Sequence, residues 1–239
     1  MENEVKQSII EFEQKIVSND PEIRSELKKL LGLLDYLPEK PHRTFSVEIS
    51  NIIFEHALKA YTQFDFIKLV DMQDCARMMF FHLSYIEETA LTFLQIMRGM
   101  LELKIQMGEN DNLEIYQEDL EEVMVLSLTN KEIGLECMLC YANLQANCSM
   151  AAKNRDALPV SISFVKKNID NMEAISSKFP MDKDINLIYC RSLAATTSEL
   201  RFHSNSEVYE KCVGLLQNLV QTRKFDVPNP VVDFLKMIS

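Results

Sequence analysis

The stretch VLSLTNKEIGLECMLCYANLQANC, residues 125 to 148, combines a helix start with a Cys-x-x-Cys pair. Asn130 precedes an acidic residue and Ile133, and its side-chain oxygen can accept from the free amides of a first helical turn. Residues four, eight and eleven positions after Ile133 share one helix face: Cys137, Tyr141 and Leu144. The stretch therefore predicts a capped turn and a helix, whose cysteines either fill a core or form half of a metal site.

The cysteine pair, Cys137 and Cys140, is predicted to fill a helical core. A structural zinc site needs four Cys or His ligands, and a second pair normally follows at short spacing from a turn. Here the pair lies in mid-helix, and no His occurs within about 50 residues on either side. The chain has six cysteines in apolar surroundings, all interpreted as reduced core thiols, and we predict no metal or other cofactor: Cys75, Cys137, Cys140, Cys148, Cys190 and Cys212.

The same helix start occurs at three places: DPEI at 20–23, NKEI at 130–133 and DKDI at 182–185. Each has an Asx cap, an acid that favours the positive end of the helix dipole, and an isoleucine that begins a buried stripe. The second and third copies are separated by 52 residues, and LEEV at 120–123 and MEAI at 172–175 match at the same separation. A helix pair that recurs at a fixed separation indicates a helical repeat, although capping chemistry alone also produces short matches of this kind.

Three segments, residues 15–34, 125–148 and 173–199, resemble the turn and following helix of an armadillo repeat. The resemblance implies a right-handed α-solenoid with a concave groove that binds a protein or peptide, and HEAT and tetratricopeptide units share these features. In peptide-binding armadillo proteins an asparagine holds the backbone of an extended ligand, and Asn143 matches it. The chain departs from that family in three features: the equivalent residue of the next copy is Ala195, tryptophan is absent, and the separation of 52 residues exceeds the repeat of about 42 that is usual there.

Helical spacing of apolar residues continues along the whole chain of 239 residues, and glycine and proline number only 5 and 7. We therefore predict an all-α fold of about nine or ten helices, forming a single domain over residues 1–239. No run of 18 uncharged apolar residues occurs, and the first residues are charged and amphipathic. These features predict an intracellular, cytoplasmic protein without membrane insertion.

The formal charge of −11 opposes broad contact with nucleic-acid phosphates and favours a neutral or basic protein partner. The four histidines are scattered without a catalytic pattern, and His82 is predicted to be buried or half-buried in a helix. We therefore expect a non-catalytic protein–protein interaction module, an adaptor or regulatory scaffold. A helical enzyme with an unrecognised pocket and a helical-repeat RNA-associated factor are the alternatives.

The predicted binding residues follow from the helix faces. Four residues of the second and third copies are expected to face the core: Tyr141, Leu144, Tyr189 and Leu193. Asn143 and Arg191 lie on the opposite side of the same helices and are therefore predicted to face the groove. Asn143 is the stronger candidate, because a side-chain amide can both donate to and accept from a peptide backbone.

Overall fold

A computed structural model describes residues 1–109, 112–151, 158–200, 206–223 and 225–238. These residues contain eleven α-helices and no strand, which confirms the all-helical prediction. The helices are α1 Glu2–Ser18, α2 Ile23–Leu34, α3 Glu39–Thr62, α4 Phe66–His82, α5 Glu87–Met107, α6 Leu113–Ser127, α7 Lys131–Ala151, α8 Leu158–Lys178, α9 Lys183–Leu200, α10 Ser206–Thr222 and α11 Asn229–Ile238. No helix in this described part is long and apolar enough to cross a membrane.

The predicted count of nine or ten helices was too low because the boundary between α4 and α5 was missed. This turn contains neither glycine nor proline, so the sequence carries no strong breaker there. The hydroxyl of Thr89 donates to the carbonyl oxygens of Leu83 and Ile86 at 3.1 and 2.7 Å. A buried side chain of α5 thus bonds to two carbonyls of this turn, which also accept from backbone amides of Ile86, Thr89 and Ala90.

The chain divides into two compact units, residues 1–100 and residues 101–239, and the prediction of a single domain stays a prediction. In unit 1, α1 packs on α2 and α3, while α4 packs on α2 and α3. Its core includes the stacked rings of Phe80 and Phe93, whose centroids are 5.3 Å apart. Buried aliphatic stripes of the other helices complete this core: Val5, Ile9, Ile16, Leu27, Leu30, Ile49 and Ile53.

In unit 2, consecutive helices from α6 to α10 pack against one another, and α7 also packs on α9. The four residues predicted to face the core are all buried, with at most 3% of their surface exposed, so that prediction is confirmed: Tyr141, Leu144, Tyr189 and Leu193. The LEEV and MEAI segments also contribute buried residues, in α6 and α8: Leu120, Val123, Met172 and Ile175.

Two of the three predicted Asx caps, Asn130 and Asp182, are confirmed, and the cap predicted at Asp20 is wrong. Asn130 Oδ1 accepts from the backbone amides two and three residues ahead, at 2.9 and 3.2 Å. Asp182 Oδ1 makes the same two contacts at 3.1 and 3.0 Å. Asp20 accepts only from the amide of Glu22, at 2.8 Å, and Glu22 itself is the N-cap residue of α2, which has no side-chain cap. Side-chain caps of this kind satisfy first-turn amides that have no helical partner.

None of the six cysteines forms a disulfide and all six are buried, which confirms that they fill the core. Burial raises the pKa of the Cys137 thiol to about 12, against a smaller opposing effect of its contact with Ser127. Such a thiol stays protonated at neutral pH, and reactivity of cysteine depends on the thiolate.

The burial predicted for His82 was wrong. This residue is exposed at the last position of α4, and its Nε2 lies 2.9 Å from Asp35 Oδ1. The helix ends at His82, so its side chain extends toward the carboxylate that follows α2 instead of into the core.

Candidate functional site

A groove with a volume of about 360 Å³ lies within unit 2, between α7 and α9. Its α7 wall consists of two small residues one turn apart, Ala142 and Ala146, with Gln145 between them. Its α9 wall carries two small residues, Ser192 and Ala195. Alanine and serine side chains project little beyond the backbone. The space between the two helices therefore stays open, although the large apolar side chains of both helices pack into the core.

The remaining lining residues supply polar and charged groups along α9: Arg191, Thr196 and Glu199. Arg191 and Glu199 are exposed, whereas Thr196 is 2% exposed. Ile105 of α5, which belongs to the same unit, adds an apolar side chain. The groove is therefore mainly apolar, with polar groups concentrated on α9.

A chain of buried hydrogen bonds ends in this groove. Asn168 Nδ2 donates to Gln145 Oε1 at 3.3 Å, and Gln145 Nε2 donates to Thr196 Oγ1 at 3.2 Å. All three side chains are at most 3% exposed. Thr196 Oγ1 makes no further hydrogen bond to the residues that the structure describes, so its proton is available to an acceptor in the groove. Hydrogen bonds in a chain polarise one another, which makes Thr196 a better donor.

The two ends of the groove on α9 carry opposite charges. Arg191 and Glu199 are eight residues apart, which places them about 12 Å apart along the helix axis. Neither side chain forms an ion pair with any residue in the described ranges. Both side chains are exposed and can therefore contact a ligand.

Of the two predicted binding residues, Arg191 lines this groove and Asn143 does not. Asn143 is half-buried on α7, beside the lining residue Ala142, and its Nδ2 donates to Glu102 Oε1 at 3.3 Å. Its backbone oxygen accepts from Asn147 Nδ2 at 2.9 Å. The predicted use of Asn143 as a grip on a peptide backbone stays a prediction.

Sequence reasoning missed Gln145, Asn168, Thr196 and Glu199 as site residues. One signal was present: Thr196 occupies the stripe position at which the other two copies have Leu34 and Leu144. A polar residue at a position otherwise filled by leucine indicates a buried hydrogen-bond partner. The partner itself could not be read from the sequence, because Gln145 and Thr196 are 51 residues apart.

A second cavity, of about 400 Å³, lies within unit 1 where the turns after α2 and α4 meet. Tyr85 and the buried His42 line it, and their rings stack with centroids 6.1 Å apart. Arg43 also lines this cavity and donates to both carboxylate oxygens of Glu88, at 2.9 and 3.2 Å. The cavity thus gathers titratable groups that are scattered in the sequence.

No group of three His, Cys, Asp or Glu side chains in the described ranges is arranged to hold a metal ion. Comparison of the chain with protein-family models, with curated proteins and with solved structures finds no match. The groove and its residues are therefore the basis on which a function can be proposed.

Proposed function

We propose that the chain is a non-catalytic protein–protein interaction module, an adaptor or regulatory scaffold that binds a segment of a partner in the groove between α7 and α9. The observation that carries this proposal is the groove itself, which combines an open apolar floor with exposed charges of opposite sign at its two ends. A floor of alanine side chains lets the backbone of a bound segment approach closely. The two charges then favour segments whose side chains carry the complementary charges.

The packing of unit 2 supports a solenoid of armadillo-like repeats as the scaffold. Consecutive helices pack together, and α6 also packs on α8 as α7 does on α9. Contacts to the next and second-next helix are those of stacked helix pairs, in which each repeat touches its neighbours. In such stacks, the equivalent helices of neighbouring pairs together form a binding surface. The groove between α7 and α9 has this arrangement.

A helical enzyme is the second candidate, and the unit 1 cavity is the observation that favours it. The hydroxyl of Tyr85 lies 3.4 Å from both ring nitrogens of His42, so an imidazole and a phenol line together a cavity large enough for a small molecule. A distance of 3.4 Å is long for a hydrogen bond, and we place the interaction module first for that reason.

Site-specific photo-crosslinking tests the proposed groove. A photoreactive residue replaces Ala195, which is exposed in the groove, and in a second protein it replaces Val125, which is 74% exposed on α6 and does not line the groove. After crosslinking in cells, mass spectrometry identifies the joined segment. We expect one partner segment to be enriched at Ala195 and not at Val125.

Purified partner then tests whether the groove is required. Ala195→Trp fills the groove from an exposed position and should reduce partner affinity at least tenfold, whereas Val125→Trp should leave it unchanged. Asn143→Ala should weaken binding of the same partner by a smaller factor, because Asn143 lies beside the lining residue Ala142 and not in the lining itself. Equal affinity of the wild type and a folded Ala195→Trp protein would remove the groove from the proposed function.

A further inference from the structure

The charges of the groove define the spacing that a bound segment must match. Arg191 and Glu199 bound the groove along α9 at a separation of about 12 Å. An extended peptide advances about 3.3 Å per residue, so four residues span about 13 Å. Residues four apart in an extended peptide also point to the same side. An acidic and a basic side chain at this spacing can therefore reach Arg191 and Glu199 together.

The floor of the groove restricts the residue between these two charges. The acidic and basic residues are the first and last of five consecutive residues, and the third residue points to the same side as these two. It faces Ala142, Ala146 and Ala195, whose methyl groups offer only apolar contacts. The two residues that point away from the floor are not restricted by it.

The Thr196 hydroxyl supplies a contact to the backbone of the segment. It lies between the two charged ends of α9, and its oxygen is already occupied as an acceptor by Gln145. The proton of this hydroxyl can be donated, and a peptide carbonyl is an acceptor that every segment offers irrespective of its side chains.

We propose, on the basis of the proposed function, that the groove binds an extended segment with an acidic residue against Arg191, a basic residue four positions away against Glu199, and an apolar residue midway. Thr196 donates to a backbone carbonyl of this segment. Recognition then depends on paired charges at a fixed spacing rather than on net charge alone.

Blocked peptides test the charge pairing without an identified partner. The probe Thr-Glu-Thr-Ala-Thr-Lys-Thr carries both charges at the proposed spacing, and its threonines favour an extended backbone. Two matched probes carry lysine or glutamate at both charged positions, and a third has the two charges adjacent. Affinities are measured by NMR titration, in which resonances of α7 and α9 report the groove. The wild type should bind the mixed probe about three- to tenfold more tightly than the other three.

Charge reversal of each groove residue should change the preferred probe. Arg191→Glu should prefer the two-lysine probe, and Glu199→Lys should prefer the two-glutamate probe, because each variant has two like charges. Lys183→Glu is the control, since it makes the same charge change at an exposed position of α9 that does not line the groove. This control should keep the wild-type preference for the mixed probe.

Thr196→Val should weaken the mixed probe about three- to tenfold, and Thr196→Ser should restore its binding. Thr197→Val is the matched control, because the hydroxyl of that buried neighbour donates to Leu193 O within its own helix at 2.6 Å. An unchanged order of probe affinities in Arg191→Glu and Glu199→Lys would overturn the proposed charge pairing. In that case the crosslink at Ala195 would still decide separately whether the groove binds a partner.

Discussion

At the residue scale, two helix starts use the same cap geometry with different charge. Asn130 and Asp182 each accept from two backbone amides, but only Asp182 is ionisable, and Lys131 Nζ lies 2.7 Å from its Oδ2. Burial by itself raises the pKa of Asp182, but hydrogen bonds from backbone amides and from Lys131 oppose burial and bring the pKa below its usual value. Because the two caps make the same hydrogen bonds and only one can be charged, comparing them separates the contribution of the hydrogen bonds to stability from that of the charge.

We predict that Asp182→Ala and Asn130→Ala each lower the free energy of unfolding by about 0.5 to 2 kcal/mol at pH 7. Because the pKa of Asp182 is lower in the folded state, its carboxylate stabilises the fold at pH values above its pKa in the unfolded state, about 3.9. This stabilisation is lost as the pH falls through the pKa of the folded state. The effect of Asp182→Ala should therefore shrink on acidification, while that of Asn130→Ala should not. Urea unfolding from pH 7 down to the lowest pH at which the protein stays folded measures both effects. Identical pH dependence in the two variants would contradict the assigned charge effect.

At the element scale, the turn between α6 and α7 depends on a glycine. A Cβ atom at Gly134 would lie 2.7 Å from the carbonyl oxygen of Ser127 and 2.9 Å from Cε2 of Phe179. Real Cβ atoms essentially never approach other atoms this closely, and a backbone oxygen cannot move aside as a flexible side chain does. Gly134 thus allows the start of α7 to pack directly on the end of α6.

We predict that Gly134→Ala destabilises the protein by about 1 to 3 kcal/mol through overpacking, despite the higher helix propensity of alanine. Gly214→Ala is the control, because that glycine lies inside α10 and a Cβ atom added there would meet no atom within 4 Å. It should stabilise the protein by about 0.5 to 1 kcal/mol. Thermal or urea unfolding should show opposite signs for the two variants. A stabilising Gly134→Ala would mean that α7 starts farther from α6.

At the scale of the whole molecule, the chain forms two compact units, and the division falls inside α5. Tyr141 is fully buried in unit 2 and its hydroxyl accepts from Asn171 Nδ2 at 2.8 Å. Phe12 is fully buried in unit 1. Substitution of these two residues can therefore report whether the units unfold together.

We predict one unfolding transition for the entire chain, and that Tyr141→Ala and Phe12→Ala each shift it, by about 3 kcal/mol or more. The reason is that a single unbroken helix belongs to both units. Urea unfolding followed by far-UV circular dichroism measures the transition, with the half-buried Asn143→Ala as a control that should change it little. Two transitions, of which each substitution shifts only one, would instead show that the units are separate domains.

The amino-acid sequence by itself determined the helical class, the capped starts at Asn130 and Asp182, the burial of the cysteines and the inward stripe that contains Tyr141 and Tyr189. These features follow from local rules, because a cap involves residues two or three positions apart and a stripe repeats every turn.

Only the tertiary structure decided the turn between α4 and α5, the hydrogen bonds from Asn168 through Gln145 to Thr196, and the groove that Arg191 lines. Each of these depends on side chains from different helices. The sequence separation of Gln145 and Thr196, 51 residues, leaves their contact to helix packing, which no periodicity within one segment encodes. Asn143 and Arg191 were predicted on the same basis, but packing placed only Arg191 in the lining of the groove.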